Sequence, residues 1–153
     1  MIDGLDDSKK LSEKKREALY EQILETAVYA RVGYASAREI DELNILGATR
    51  LAMSRAAVDA PCGLFLVDGT VDGLDVHCEQ RAIVHGDALC YSIAAAAILA
   101  KVSRDRLMRE LDEKYPQYGF AKHKGYGTAE HIAALQQYGP CPEHRALFIR
   151  KFV

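Results

Sequence analysis

The longest apolar stretch of the chain, Ile93 to Ala100, is alanine-rich and apolar on every side of a helix. From Lys101 it turns amphipathic, with Leu107, Met108 and Leu111 recurring between charges. Such a helix is expected to bury its first half against a layer of strands, with Ser92 as N-cap, because small side chains let a sheet approach closely. After Ser12, an expected N-cap, Leu19, Ile23 and Ala27 recur at helical spacing and mark a surface helix with one apolar stripe. Residues 28–35 alternate enough to predict a strand. Ser36 can cap a short helix over 38–43, and a longer helix is expected from 45 to 57. Residues 63–67 are continuously apolar, the pattern of a strand covered on both faces, and end at Asp68–Gly69 where the chain must turn. A polar loop over 70–80 leads to another short strand at 81–85. Thr128 is expected to cap a last helix running to Gln137, which Gly139–Pro140 stops. Strands alternating with helices place the chain in the α/β class.

At 153 residues the chain is most simply one domain, able to bury about 70% of its unfolded surface in a single core. No apolar run is long enough to cross a bilayer. The start, Met1 to Asp7, has neither a basic region nor an apolar core of the signal-peptide kind, which favours the cytoplasm. A net charge of −2 argues against coating nucleic acid by bulk electrostatics and leaves room only for a local basic face. Cys62, Cys78, Cys90 and Cys141 form no C-x-x-C pair and read as reduced thiols.

Two carboxylates carry candidate chemistry. Asp68 ends an apolar strand, at the edge of an α/β sheet where ligand sites collect, although an Asp–Gly turn alone accounts for it. Asp105 lies on the helical stripe of Ile98 and Val102, at the edge of the buried face, with a salt bridge to Lys101, Arg104 or Arg106 as the plainer role. Two such aspartates can share a hard divalent cation, though two are too few to fix it firmly. In residues 122–126, lysines and a tyrosine interleave with glycine: glycine lets backbone approach a phosphate, lysine neutralises it, and tyrosine can stack on a base or meet a hydroxyl. The same composition also makes an ordinary surface loop. The lysines around residues 9–15 form a solvated face or a phosphate-binding patch. His123, His131 and His144 have no spacing that compels metal ligation and read as surface or hydrogen-bonded polar residues.

The chain resembles bacterial ribonuclease HII, the type 2 ribonuclease H family. The resemblance is carried by Asp7–Ser8–Lys9–Lys10–Leu11–Ser12, Asn44–Ile45–Leu46, Leu66–Val67–Asp68–Gly69, Gly86–Asp87–Ala88–Leu89, Ser92 through Val102, Arg104–Asp105–Arg106, Tyr115–Pro116 through Thr128, and Gly139–Pro140–Cys141–Pro142 with His144–Arg145. It implies a ribonuclease H-like mixed sheet flanked by helices, with a C-terminal helical segment. It also implies an endonuclease that hydrolyses the RNA strand of RNA–DNA hybrids, including ribonucleotides embedded in DNA, by a two-metal mechanism with Mn²⁺ or Mg²⁺. Asp68 and Asp105 match the family's catalytic metal ligands and Tyr126 matches the tyrosine that senses the 2′-hydroxyl. Lys9 and Lys124 lie in motifs near the nucleic acid.

The family begins with a strand bearing adjacent Asp and Glu, followed by Gly-Arg-Gly, and no such combined motif occurs in these 153 residues. The expectation is therefore one ribonuclease HII-like domain over 1–153, truncated at the N-terminus, with Met1 an internal position of a longer enzyme and half of a four-carboxylate site missing. A sheet without its middle strands leaves backbone groups orphaned, so the chain alone is expected to be poorly stable or to rely on association, where the family is monomeric. The alternative is a fragment that binds hybrid duplexes through Lys9, Lys124 and Tyr126 without cutting them. A third reading takes Asp68 as a phosphoacceptor with Lys101 nearby.

Overall fold

The computed structural model describes residues 2–61 and 63–153, which fold as a mixed α/β structure. They form two compact units, Met1–Tyr34 with Thr49–Ser103, and Ala35–Ala48 with Arg104–Val153.

In the first unit, helix α1 (Glu13–Thr26) starts where the Ser12 hydroxyl accepts the Lys15 N–H at 3.3 Å, the N-cap expected from the sequence. It buries Leu19 and Ile23 against Ile98, Leu99 and Val102 of helix α4 (Tyr91–Lys114), with Leu11 completing the cluster. Strand β1 (Leu64–Asp68) pairs in parallel with β2 (Glu79–Ile83), in a register that sets Asp68 beside Ile83. The two ends of helix α2 (Ala37–Ala57) belong to different units, and Asn44, at φ 60° and ψ 174°, breaks it where a short and a longer helix were expected to meet.

The first unit departs from the sequence reading in four places. Residues 28–35 form no strand: no ladder partner stands beside them among the described residues, and they lie instead along the second half of α2. There Tyr29 donates its hydroxyl to the Ala56 carbonyl at 2.9 Å, and Arg55 reaches the Tyr34 carbonyl at 2.7 Å. Ser92 is not the cap of the long helix. The helix begins one residue earlier, with the Cys90 carbonyl accepting the Ala94 N–H at 2.9 Å, because the short helix α3 (Gly86–Leu89) runs up to an extended Cys90. The first half of α4 is covered on one side rather than all round: Ile93, Ala94, Ile98 and Leu99 are buried, while Ala96 and Ala100 are exposed. Likewise only Val67 of β1 is buried, because the sheet among the described residues has two strands and no layer spans both of its faces.

In the second unit, the later turns of α4 pack Met108 against Tyr118, Phe120 and Leu135. Tyr118 closes a 3₁₀ turn (Pro116–Tyr118) that follows the helix, and its hydroxyl donates to the Gly139 carbonyl at 2.7 Å. Helix α5 (Phe120–His123) follows. Helix α6 (Ala129–Tyr138) starts, as expected, with the Thr128 hydroxyl accepting the His131 N–H at 3.3 Å, and it ends at Gly139. The last helix, α7 (Ala146–Ile149), is capped from a distance in sequence: both Asp41 carboxylate oxygens accept its first N–H groups, at 2.8 and 2.9 Å.

Candidate active site and nucleic-acid interface

Asp68 is the last residue of β1 and is exposed. The ladder continues one step past it, with the Gly69 N–H donating to the Ile83 carbonyl at 2.9 Å. Beyond Ile83 the chain turns through His85, in the left-handed region at φ 57°, and this brings the first residue of α3 under the aspartate. The Gly86 N–H donates to Asp68 Oδ1 at 2.8 Å. A Cβ at Gly86 would lie 2.5 Å from Ile93 Cδ1 and 3.4 Å from Asp68 Oδ1, so a side chain there would require the Ile93 side chain to shift. One carboxylate oxygen is thus held from below, at the carboxyl end of a strand.

Lys9 belongs to the same patch. Its backbone is set by the Asp7 side chain, whose Oδ1 accepts the Lys9 N–H at 2.9 Å. Its ammonium lies 3.4 Å from Asp87 Oδ2, a pair in which the lysine is 80% exposed and the aspartate only 11%. The hydrogen bond to Asp87 raises the Lys9 pKa, helped by the charges of Asp87, Asp7 and Asp68. Lys9 therefore stays a full cation within the electrostatic reach of Asp68. The roles of Asp87 and Gly86 come from contacts that residue spacing does not encode.

In the second unit Asp105 is buried, at 3% exposure, one turn beyond Val102 on the same stripe, and it is partnered within the fold. Arg104, next to it, places Nη2 3.5 Å from where a Cβ on Gly125 would sit. Burial lowers the Arg104 pKa and the nearby Arg145 guanidinium adds to the effect, while Tyr126 and Asp105 oppose it. Both arginines line a cavity of about 320 Å³ together with Gly125, Gly127, His131 and His144.

Lys124 and Tyr126 sit on the turn that follows α5. Lys124 and Gly125 are both left-handed, at φ 53° and 81°, and the Tyr126 N–H donates to the His123 carbonyl at 2.9 Å. The Tyr126 ring projects into solvent, 71% exposed. Its carbonyl accepts the Thr128 N–H at 2.9 Å and also lies 2.9 Å from His131 Nδ1. The histidines that the sequence marked only as surface or hydrogen-bonded residues are the frame of this turn: His123 and His131 are buried, and both are bonded.

The structure thus gathers Lys9 with Asp68 in one unit, and Asp105, Lys124 and Tyr126 within the other. Among the described residues no group of three or more His, Cys, Asp or Glu side chains is placed to hold a metal ion. No helix among them is long and apolar enough to cross a membrane. Cys90 and Cys141 are free thiols, and Cys62 lies outside the described residues.

The mixed α/β fold is shared with solved structures. Ribonuclease H2 from Pyrococcus horikoshii OT3 superposes with a TM-score of 0.75 at 25% identity, over 97% of this chain and 80% of that one. RNase HII of Archaeoglobus fulgidus, solved in complex with PCNA, has the same fold, with a TM-score of 0.70 at 21% identity over 95% of this chain and 78% of that one. The ribonuclease HII family profile matches residues 3–152. The chain is 50% identical to ribonuclease HII of Acetivibrio thermocellus over 99% of its own length and 60% of that protein. It is 55% identical to the Shewanella loihica ribonuclease HII over 96% of its own length and 73% of that protein. The chain belongs to the ribonuclease HII family. It spans about 60% of the length of the Acetivibrio relative.

Proposed function

We propose that the chain carries part of an endonuclease that cuts the RNA strand of RNA–DNA hybrids, including single ribonucleotides embedded in DNA. The observation that carries this reading is the solvent-facing Asp68 carboxylate, anchored through one oxygen by Gly86 with the Lys9 cation beside it, in a chain matched to the family from residue 3 to 152. An anchored acid next to a cation suits a site that meets a phosphodiester.

Asp68 and Asp105 would hold Mn²⁺ or Mg²⁺, since carboxylate oxygens are the hard donors these ions take. When bound, such ions supply Lewis-acid polarisation of the phosphate and a water of lowered pKa, in a two-metal scheme. Asp68 is pre-oriented for that role by the Gly86 N–H, which fixes its rotamer without spending its second oxygen. Lys9 and Lys124 would neutralise backbone phosphates, and Tyr126, projecting from its turn, would meet the ribose at the cut. The 153 residues are read as one ribonuclease HII-like domain. The carboxylates that complete a metal cluster belong, on this reading, to the share of the family's length that the chain does not span.

The second reading, a piece that binds hybrid duplexes without cutting them, is favoured by the lack of any three-ligand cluster among the described residues. One experiment separates the two. The purified chain is incubated with Mn²⁺ and a DNA duplex carrying one ribonucleotide, and binding to the same duplex is measured in EDTA. Cleavage that EDTA abolishes establishes the endonuclease. Binding without cleavage establishes the second reading, and neither binding nor cleavage overturns both.

A further inference from the structure

Three histidines of the second unit are wired so that every ring nitrogen has one defined role. His123 Nε2 lies 2.6 Å from the Tyr118 carbonyl, an acceptor only, so Nε2 carries the proton. Its Nδ1 is then bare, and it accepts the Gly125 N–H at 3.2 Å. His131 Nδ1 lies 2.9 Å from the Tyr126 carbonyl and must donate to it. The Cys141 N–H donates to His144 Nδ1 at 2.9 Å, which leaves the His144 proton on Nε2. That proton points at His131 Nε2, 3.0 Å away and bare in the neutral ring. A single set of tautomers satisfies all five contacts, and in it each imidazole is neutral.

No ring has a vacant nitrogen for a second proton. Protonating His123 sets two donors face to face at Gly125. Protonating His144 does so at Cys141, and protonating His131 does so at His144. We propose that His123, His131 and His144 are positioning residues for Tyr126, clamping the 124–126 turn through this one set of neutral tautomers. The proposal rests on the reading of Tyr126 as a substrate contact.

The surroundings of His131 and His144 oppose protonation. His123 stacks on His131 with ring centroids 4.2 Å apart and planes at 14°, so a charge on one ring repels a charge on the other. Arg145, from the segment before α7, disfavours a charge on His131 and His144, and Arg104 of α4 lines the same cavity. Of the carboxylates nearby, Glu130 also feels the charge of His123. Glu130 of α6 holds Lys122 at 2.5 Å, and Glu143 lies 4.0 Å from Lys114. The Tyr118 hydroxyl and the Cys141 thiol both stay neutral, their pKa values raised mainly by burial. Desolvation is the main cause of the lowered pKa of His131 and of His144. A histidine pKa lower in the folded state than in the unfolded state gives a contribution that is complete above the ordinary value of about 6.5 and is lost as pH falls through the folded value.

Long-range proton–nitrogen NMR spectra of the labelled 153-residue chain read the tautomers directly. The expected result is Nε2–H for His123 and His144 and Nδ1–H for His131. In His131→Asn the side-chain amide can still donate to the Tyr126 carbonyl, which His131→Leu cannot, so the Tyr126 amide signal is expected to stay near its native position in the first variant and to move in the second. A His131 ring in the Nε2–H form, or a Tyr126 amide signal that moves equally in both variants, overturns the clamp.

Affinity links the clamp to function. The preference for a duplex with one ribonucleotide over an all-DNA duplex is expected to fall about tenfold in His131→Leu, which loses one hydrogen-bonded support of the turn, and to stay near native in His131→Asn. A preference that falls equally in both variants overturns the positioning role. If the native chain shows no preference for the ribonucleotide, the reading of Tyr126 fails, while the spectra still decide the clamp.

Discussion

The Asp68 carboxylate accepts the backbone N–H of Gly86 at 2.8 Å, so two residues 18 apart in the chain form one unit at the end of the sheet. An asparagine at 68 keeps an oxygen for that N–H and removes only the charge. Asp68→Asn is therefore expected to lower cleavage of a ribonucleotide-containing duplex by about 10²-fold or more, the scale on which one charge-stabilising group acts. Its melting temperature should stay within about 3 °C of the native value, the equivalent of about 1 kcal/mol for a chain of this size. Undiminished cleavage by the variant would remove Asp68 from the site.

Gly33 lies against the backbone of α2. A Cβ there would stand 1.9 Å from the Ala52 carbonyl oxygen and 2.6 Å from the Ala56 nitrogen, atoms that cannot swing aside as a side chain can. Gly33→Ala is expected to destabilise the chain by about 3 kcal/mol, at the upper end of overpacking costs, with the loss read from the urea midpoint.

Lys9 and Lys124 are assigned to phosphate contacts, which are seen through salt. In binding to a hybrid duplex, replacing either with alanine is expected to lower the slope of log K against log salt by about 0.9. Lys114→Ala is the control. Lys114 is committed to the Tyr115 ring, 4.9 Å away, and to Glu143, so its removal should leave the slope as it was.

Burial pushes the Cys141 thiol above its ordinary pKa, more strongly than its hydrogen-bonding neighbours pull it down. Because the thiolate is the reactive form, iodoacetamide at about pH 8 is expected to modify Cys141 about fivefold or more slowly than a free cysteine, as followed by peptide mass spectrometry. Modification at the free-thiol rate would show that the segment around Cys141 and His144 opens readily in solution.

Much of the secondary structure was legible because its causes are local. The hydroxyls of Ser12 and Thr128 cap the helices they precede, and Ser36 pairs reciprocally with Glu39, its hydroxyl accepting the Glu39 N–H at 3.2 Å. The sequence also marked Asp68 as a strand end and Asp105 as a position at the edge of a buried stripe. Residues 28–35 were misread for a physical reason: alternation describes which faces a strand offers, and a strand exists only where a neighbour completes its ladder. Ser92 was misread because a short helix ending at Leu89 supplies the entry to α4 from the preceding residues.

What the sequence by itself determined is everything that acts within about one helical turn, namely caps, stripes and breaks, together with the family that its motifs identify. Tertiary structure alone decided which partner each residue meets: the Gly86 N–H for the Asp68 carboxylate, the Asp87 carboxylate for the Lys9 ammonium, the Ala52 backbone packed against Gly33, and one proton for each of three imidazoles. A hydrogen bond acts over about 3 Å. Residues far apart in sequence come that close only after the chain has folded, so spacing along the chain can nominate a polar residue without naming its partner.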